Sequence, residues 1–556
     1  MKTIKKLIYM LFLSCAVSCS LEETPEHFVD NKHFYDTKAQ CVSALNTCYN
    51  KLSGIFSYRM FFLTEIQSDL WWNDSGTIYD ATLDITPSSP GHAETIWDAG
   101  YQAVMYCNEC VECIASSPIA EDVKMPLVAE ARVLRALYYH VLTQVFNGVP
   151  FYMERVDSKE KMEQIRNLPR TPASEIRSRL YNDLKDNALP YFTEENGLKK
   201  RPCDLAQKRA GYALALYLMA NFAMWNEEYE AALEPLKKLE ELYGSLHENA
   251  NDYPLENLKW SIKNTPESIF EIQHEWSVSG VQYIGNLARF TTPKWNEGSV
   301  YDGVCPTDGG WYTSFRANMS TSSSARATNR LALVAAKNNS QTGEKDQPER
   351  SLFYPLPIVK SGDKYEIDLN AVETGQVAGM KIDKRIYYTL GLGNLVTGQA
   401  FTQVQNNSFV WSGPKFWCPD MLQGNDSNNY KIYRYADAVL MMAECYCRLD
   451  EPELAMKYLN STRIRAGVDP ITNYTGSDDL MVQIRDERAR ELAGEFHRKF
   501  DLVRWGIWYD QTLQYSLKGT LRKNIRKCHR YYPIPDTQCA LSGYVLTNDE
   551  YAADGM

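Results

Sequence analysis

Two segments of the sequence carry the residue types that grip ligands with flat, apolar faces. The first is QSDLWWND (67–74), which places Trp71 and Trp72 beside Asp69 and Asn73. Indole rings provide apolar platforms, and neighbouring carboxylate and amide groups bind hydroxyls. Because sugar rings have apolar faces edged with hydroxyls, the combination favours a sugar-binding site. We expect at least one Trp of the pair to contact the ligand.

The second aromatic segment lies farther along the chain, where the sequence is irregular. Its members could form further platforms, and each could equally be a buried core residue. They are Trp276, Tyr283, Trp295, Tyr301, Trp311 and Tyr312. All except Tyr301 are candidate ligand contacts, together with the four residues of the first segment.

Charged residues near the C-terminus could in principle carry acid–base chemistry or bind a metal. Glu487, Glu491 and His497 lie close together, among arginines that include Arg488 and Arg498. There is no HExxH metalloprotease motif, and carboxylates beside several arginines stay ionised and make poor acids. We therefore expect no catalytic residue here and interpret the segment as an ion-pair network that fixes helix packing.

Three cysteines, Cys107, Cys110 and Cys113, have the CxxCxxC spacing of an iron–sulfur ligand run. The surrounding sequence is strongly helical, so their sulfurs would spread over roughly 120° of helix surface. No fourth ligand follows nearby, and free cysteine is often buried. We therefore expect no metal and no cofactor. The sequence leaves open whether other cysteines form disulfides.

The N-terminus predicts export and attachment to a membrane. Residues 1–18 combine three lysines with an apolar stretch that is too short to span a membrane, which is typical of a signal peptide. The stretch before Cys19 resembles a bacterial lipobox, so Cys19 is the expected lipidation site. Cys15 is a competing position, and ordinary secretory cleavage is the alternative. The acidic stretch that follows predicts a solvated tether.

The elements that must position these residues are mainly helices. From 124 to 146, apolar residues recur at spacings of three and four, which is typical of an amphipathic helix face. Paired helices with small Ala residues between them resemble tetratricopeptide repeats, with a non-repetitive helical domain as the alternative. The predicted helices span 37–52, 93–114, 124–146, 173–189, 204–224, 226–243, 437–448 and 452–465.

Helical periodicity lapses between residues 251 and 429, where Gly, Pro, Ser, Thr and Asn are frequent and 268–273 predicts a short strand. Irregular segments beside a rigid scaffold commonly carry binding loops. The expected regions are a signal peptide (1–18), a lipidated tether (19–30), an N-terminal helical region (31–250) and a second region (251–556). The second region comprises irregular loops (251–429) and C-terminal helices (430–556).

Composition narrows the class of partner. The chain has 556 residues and a formal net charge of −11, without a long Lys/Arg run. Because a nucleic-acid-binding protein needs a cationic surface, this balance argues against a nucleic-acid partner. Beyond the signal peptide, no stretch of 18 or more apolar residues predicts a transmembrane helix.

Several motifs, in order, resemble the SusD/RagB family over almost the whole mature chain. The extreme C-terminus, LTNDEY (546–551), is only a loose version of the Asn-rich ending of that family. The motifs are EARVLRALYY (130–139) with FNGVP (146–150), YRYADAVLMMAE (433–444) with YLN (458–460) and RIRAG (463–467), IRDERAREL (484–492) with GEFHRKFDLVRWG (494–506), and YPIP (532–535).

The resemblance implies a mainly α fold, a SusD-like α/α superhelix of tetratricopeptide-like helix pairs with a loop-rich ligand-binding region and short strands. It implies a lipid-anchored outer-membrane protein that faces the cell exterior and is not an enzyme. Such a protein binds oligosaccharide or polysaccharide and delivers it to a SusC-like TonB-dependent transporter. A peptide ligand, a glycoside hydrolase and a purely structural subunit are the alternatives. The sequence names neither the glycan nor a bound calcium ion.

Overall fold

In the computed structural model, the described residues are 34–73, 75–249, 251–276, 284–291, 315–317, 358–361, 364–367, 385, 415–416, 418 and 425–556. They form a mainly α fold, as predicted. The helices of the first half are α1 (Lys38–Tyr49), α2 (Leu52–Ile55), α3 (Tyr58–Phe61), α4 (Tyr79–Thr82), α5 (Ala93–Ala115), α6 (Glu121–Phe146), α7 (Lys159–Arg166), α8 (Ala173–Asn187), α9 (Tyr212–Trp225), α10 (Tyr229–Tyr243) and α11 (Ala288–Thr291).

The second half ends in a further run of helices. These are α12 (Tyr435–Arg448), α13 (Pro452–Arg465), α14 (Ser477–Glu491), α15 (Arg498–Arg504), α16 (Trp508–Tyr515), α17 (Gly519–Asn524), α18 (Asp536–Leu541) and α19 (Asp549–Ala553). Short strands accompany the helices: β1 (Trp71–Asn73), β2 (Ser268–Ile272), β3 (Phe315–Ala317), β4 (Ile358–Ser361), β5 (Lys364–Ile367) and β6 (Tyr430–Arg434). They pair antiparallel as β1–β3, β2–β6 and β4–β5.

Consecutive helices pack as hairpins, which confirms the predicted helix pairs. The pairs are α5 with α6, α9 with α10, and α12 with α13. Helix α8 packs on α6 and α9, and α10 packs on α12, so the hairpins stack into one continuous layer. Helix α9 is apolar on nearly all sides because neighbouring helices surround it.

Local sequence explains where several helices begin and end. Thr37 caps α1 in a capping box with Gln40, whose backbone N lies 3.3 Å from the Thr37 hydroxyl. Helix α6 ends at Phe146 because Asn147 takes a positive φ of 63°. The predicted start of α9 at Asp204 is wrong, because a 3₁₀ turn (Pro202–Asp204) precedes the helix, which begins at Tyr212.

A buried ionic cluster joins β2, β6, α13 and α14. Arg434, the last residue of β6, lies 2.7 Å from Glu495, 3.0 Å from Glu491 and 2.5 Å from Glu267, which precedes β2. The side chains of the cluster are at most 3 % exposed. Its residues are Glu267, Arg385, Lys415, Arg434, Arg465, Glu487, Glu491 and Glu495.

The carboxylates of Glu487 and Glu495 are held in their charged form. Burial alone would raise the pKa of Glu487, but the adjacent guanidinium groups of Arg385, Arg490 and Arg463 outweigh it and hold the pKa well below its usual range. Burial also opposes ionisation of Glu495, but Arg434 and Lys415 lower its pKa to about 2. The predicted ion-pair network in this segment is thus confirmed.

Further charges tie the other side of α14 to its neighbours. Arg488 lies 2.6 Å from Asp437 of α12 and 2.9 Å from Asp501 of α15. Arg504 of α15 in turn holds Glu444 of α12 through two contacts of 2.5 and 2.8 Å. Helix α14 is therefore fixed by ion pairs on two sides. The pairs of Asp501 with Arg488 and of Arg504 with Glu444 also position α15.

Removing one carboxylate from the centre of the cluster should destabilise the fold strongly. Glu491→Gln leaves Arg434, Arg385 and Arg465 with less compensating charge in a buried site. We expect a loss of about 3–5 kcal/mol and a lower thermal unfolding midpoint in calorimetry. The control is Glu234→Gln, an exposed carboxylate paired with Lys185 and Lys238, which should cost at most about 1 kcal/mol. Equal losses would contradict the role of the cluster.

The cluster should also make stability depend on acid pH. Because the folded-state pKa of Glu495 is about 2 and its ordinary value is 4.5, its contribution is complete above pH 4.5. That contribution is lost as the pH falls from about 4.5 towards 2. Glu495→Gln removes the titration, so its unfolding midpoint should fall less steeply over this interval than that of the unmodified protein. Parallel curves would refute the linkage.

Candidate ligand-binding site

The first predicted site segment follows a buried anchor. Residues Phe62–Ile66 form a π-helical turn. In this turn the Glu65 carboxylate accepts hydrogen bonds from the main-chain N–H groups of Gly494, His497 and Arg498 at 3.2, 3.0 and 3.3 Å. Burial raises the pKa of Glu65 to about 7, although these hydrogen bonds act in the opposite direction. The contact holds the turn against the connection between α14 and α15.

Asp69 is held by a bidentate ion pair. The Nε and Nη2 atoms of Arg498 each donate to one of its carboxylate oxygens at 2.7 Å, and the Asp69 side chain is fully buried. Two charge-assisted hydrogen bonds with fixed geometry orient both partners. The structure therefore places Asp69 in the support of the site segment, where it links β1 to α15.

Strand β1 separates the two tryptophans of the predicted pair. Alternate side chains of a strand face opposite sides, and the burial of Trp71, Trp72 and Asn73 follows this alternation. Trp71 is fully buried, with its ring edge-on to Phe61 at 5.4 Å and to Phe416 at 6.4 Å. Trp72 faces the other side and is half-buried. Of the pair, Trp72 is the residue that can offer part of its ring to a ligand.

Asn73 closes the strand. Its side chain is 1 % exposed, and its Oδ1 accepts a hydrogen bond from the main-chain N–H of Ser75 at 2.8 Å. This local bond turns the chain directly after β1. The structure therefore places Asn73 beside the platform residue, where it shapes the turn.

The pairing of β1 with β3 places the strand that follows the second aromatic segment beside Trp72. Trp72 lies opposite Arg316 in the antiparallel register, and Trp71 lies opposite Ala317. Strand β3 begins three residues after Tyr312. The chain that leaves the second aromatic segment therefore runs beside Trp72.

Arg289 and Phe290, which precede residues 292–314 in the chain, pack against Tyr58 of α3. The ring of Phe290 lies 4.9 Å from that of Tyr58, and the Arg289 guanidinium lies 4.4 Å from the centre of the Phe290 ring. Tyr58 begins α3, shortly before the π-helical turn. We did not identify these three residues from the sequence, because a contact between positions so far apart leaves no periodic pattern. The only local hint is the adjacent Arg289 and Phe290, which lie next to the second aromatic segment in the sequence.

Trp276 follows β2 and is half-buried. The chain leading to Trp276 is fixed by His274. The main-chain N–H of His274 donates to the Asn429 side chain at 3.0 Å, and its Nδ1 lies 2.7 Å from the Asn428 carbonyl oxygen. Trp276 therefore lies just beyond the end of the β2–β6 pair. The other predicted contacts, Tyr283, Trp295, Trp311 and Tyr312, lie outside the described residues, as does Cys19.

The described residues contain neither a metal-binding cluster nor a membrane-spanning helix. Across this part of the chain, no group of three or more His, Cys, Asp or Glu side chains is placed to hold a metal ion. Among the helices of the same residues, none combines the length and apolar character needed to cross a membrane.

Two family models match the sequence. The model described as "Starch-binding associating with outer membrane" matches residues 21–218, and the model described as "SusD family" matches residues 420–551. These two stretches contain all the motifs noted above and, with β1, the support of the candidate site. The chain belongs to the SusD/RagB family.

Known SusD-like proteins resemble the chain along its length. A SusD-like protein of Formosa agariphila is 25 % identical over 99 % of each chain. The solved structure of a SusD superfamily protein from Bacteroides vulgatus has a TM-score of 0.65 at 17 % identity, covering 92 % of this chain and 99 % of its own. Surface glycan-binding protein A from Bacteroides fluxus has a TM-score of 0.61 at 20 % identity, covering 91 % and 97 %. The likeness confirms the SusD-like helical fold.

The Asp69–Arg498 pair should hold the site segment in place. Asp69→Asn keeps the shape of the side chain but leaves the buried Arg498 without its counter-charge, so we expect a loss of about 3 kcal/mol or more. Amides of residues 70–73 should exchange hydrogen faster, as measured by mass spectrometry. The exposed Asp186→Asn is the matched control. Unchanged exchange in Asp69→Asn would show that the pair does not support the segment.

Proposed function

We propose that this SusD/RagB protein is an outer-membrane surface lipoprotein that binds an oligosaccharide or polysaccharide. We propose further that it passes the ligand to a SusC-like TonB-dependent transporter. The description of the N-terminal family model, starch-binding and associated with the outer membrane, supports the ligand class and the location. The fold shared with a protein named for surface glycan binding supports the same class.

The half-buried indole of Trp72 is the observation that carries the proposal. Sugar rings bind to aromatic faces, and an aromatic residue on a fixed backbone loses little freedom when it binds. Trp72 is fixed in this way, because Trp71 is packed in the core and Asp69 is paired with Arg498. Pairing with β3 fixes the backbone of β1 further.

The same geometry favours binding over hydrolysis. A glycoside hydrolase needs two carboxyl groups facing each other across the scissile bond. The acidic residues that support the site segment, Glu65 and Asp69, are fully buried and bonded to main-chain N–H groups and to Arg498. Glu487 and Glu491 are likewise enclosed in the buried ionic cluster. These groups have structural roles, so we propose that the protein is not an enzyme.

The proposed location rests on the N-terminal residues. Cleavage before Cys19 and acylation of its thiol would fix the protein to the membrane, because each buried CH₂ contributes about 0.8 kcal/mol. Residues 19–30 would then serve as the tether that leads to the folded body. An anchored binding protein with this tether can stay beside a transporter in the same membrane.

Binding should depend on Trp72. We expect Trp72→Ala to weaken binding of the recognised polysaccharide roughly tenfold or more, which corresponds to the loss of about 1.4 kcal/mol of stacking. The measurement is affinity electrophoresis against a polysaccharide panel, followed by calorimetry with the oligosaccharide that is retained. Tyr544→Ala, which removes a ring that is 72 % exposed, is the control and should leave affinity unchanged.

The panel also separates the alternative functions. Retention of peptides with no retention of any glycan would replace the proposed ligand class. Shortened products released by the purified protein would show hydrolysis. If Trp72→Ala and the unmodified protein bind with equal affinity, Trp72 is not part of the binding site.

A further inference from the structure

A pair of buried thiols lies between helices α1 and α5. The sulfur of Cys48, in the last turn of α1, is 3.7 Å from the sulfur of Cys110 in α5. Both residues are almost completely buried, with 0 % and 2 % of their surface exposed. The two positions are 62 residues apart in the chain, so this contact is made by the packing of the two helices.

The backbone around Cys48 is held firmly. The Tyr138 hydroxyl, from α6, donates to the Cys48 carbonyl oxygen. The next residue, Tyr49, is bonded through its hydroxyl to Glu130 and accepts the main-chain N–H of Ala210 at 2.8 Å. The end of α1 is therefore fixed in the position that brings the Cys48 thiol to α5.

Two explanations for such a contact are a metal site and a redox pair. The described residues contain no group of three or more metal-ligating side chains arranged around an ion, and Cys48 and Cys110 belong to that part of the chain. Sulfurs at 3.7 Å are already in van der Waals contact, and a disulfide requires an approach to about 2.05 Å. The two sulfurs would therefore have to move towards each other for the bond to form.

We propose that Cys48 and Cys110 form a structural disulfide in the exported protein. The proposal rests on the proposed export across the inner membrane, since disulfides persist in oxidising compartments. The two thiols lose two protons and two electrons as the Sγ–Sγ bond forms. A disulfide of an exchange partner accepts the electrons and protons and leaves as two thiols. The product links α1 to α5 and closes a long loop of the unfolded chain.

The chemistry of the site indicates when the bond forms. Contact with Cys107 and burial raise the pKa of Cys48, and contact with Cys48 and burial raise that of Cys110. Because the thiolate is the reactive form, the folded dithiol exchanges slowly. Oxidation therefore belongs to folding after export, before the helices close over the sulfurs. Once formed, the buried bond is protected from external thiols.

Cys107 offers a matched control. It lies on α5 one turn before Cys110 and is also fully buried. A disulfide specific to the close sulfur pair must survive Cys107→Ala and must disappear in Cys48→Ala and in Cys110→Ala. Non-specific disulfide formation between any neighbouring cysteines would not follow this pattern.

The test uses the full chain exported to a bacterial periplasm and, in parallel, refolded from its reduced form with reduced and oxidised glutathione. Free thiols are alkylated under denaturing conditions without reductant, and tryptic peptides are analysed by mass spectrometry. We expect peptide 39–51 joined to peptide 60–124, two hydrogen atoms lighter than the sum of the two peptides with Cys41, Cys107 and Cys113 alkylated. The link should be lost in both Cys48→Ala and Cys110→Ala.

Two results would overturn the inference. One is alkylation of both Cys48 and Cys110 in protein from both sources. The other is a link that persists in Cys110→Ala or is lost in Cys107→Ala. Glycan affinity is measured on the same protein, so that the disulfide and the glycan-binding function are tested separately. If the protein binds glycan while both thiols are free, the disulfide is rejected and the proposed function stands.

Discussion

The structure depends on the pairing of buried charges around helix α14. Arginine and glutamate side chains cannot be left alone in a buried site, because an isolated ion there costs several kcal/mol. Arg434 meets this requirement through Glu267, Glu491 and Glu495 at once, and Arg488 does so through Asp437 and Asp501 on the other side. Displacing α14 from this position would separate some of these pairs, which disfavours that displacement.

The same contacts extend to the candidate site. Helix α15 is positioned by its ion pairs with α12 and α14, and its first residue, Arg498, holds Asp69. Glu65 binds the main chain just before that helix. The segment that carries Trp72 is thus attached to the rigid part of the fold by two buried carboxylates, and a fixed platform is what recognition of a sugar face requires.

Much of the scaffold is predictable from the sequence, because helical periodicity and helix-ending residues such as Asn147 are local. The mixed charges from 484 to 504 likewise indicate a packing network. The site is less predictable because its contacts are distant in the sequence. Strand β1 has only three residues and its partner β3 is far along the chain, so no local pattern shows that Trp71 is buried and Trp72 is not. The Asp69–Arg498 pair joins residues that are far apart in the chain, so no local pattern shows that the Asp69 carboxylate is buried and paired.

The central claim is that a sugar binds on the face of Trp72, which the buried charges hold in place. A crystal structure of the protein with the oligosaccharide selected from the polysaccharide panel tests this claim most directly. The account predicts a sugar ring stacked on the half-buried indole of Trp72, beside the β1–β3 pair. A ligand bound with no contact to the Trp72 ring would contradict it.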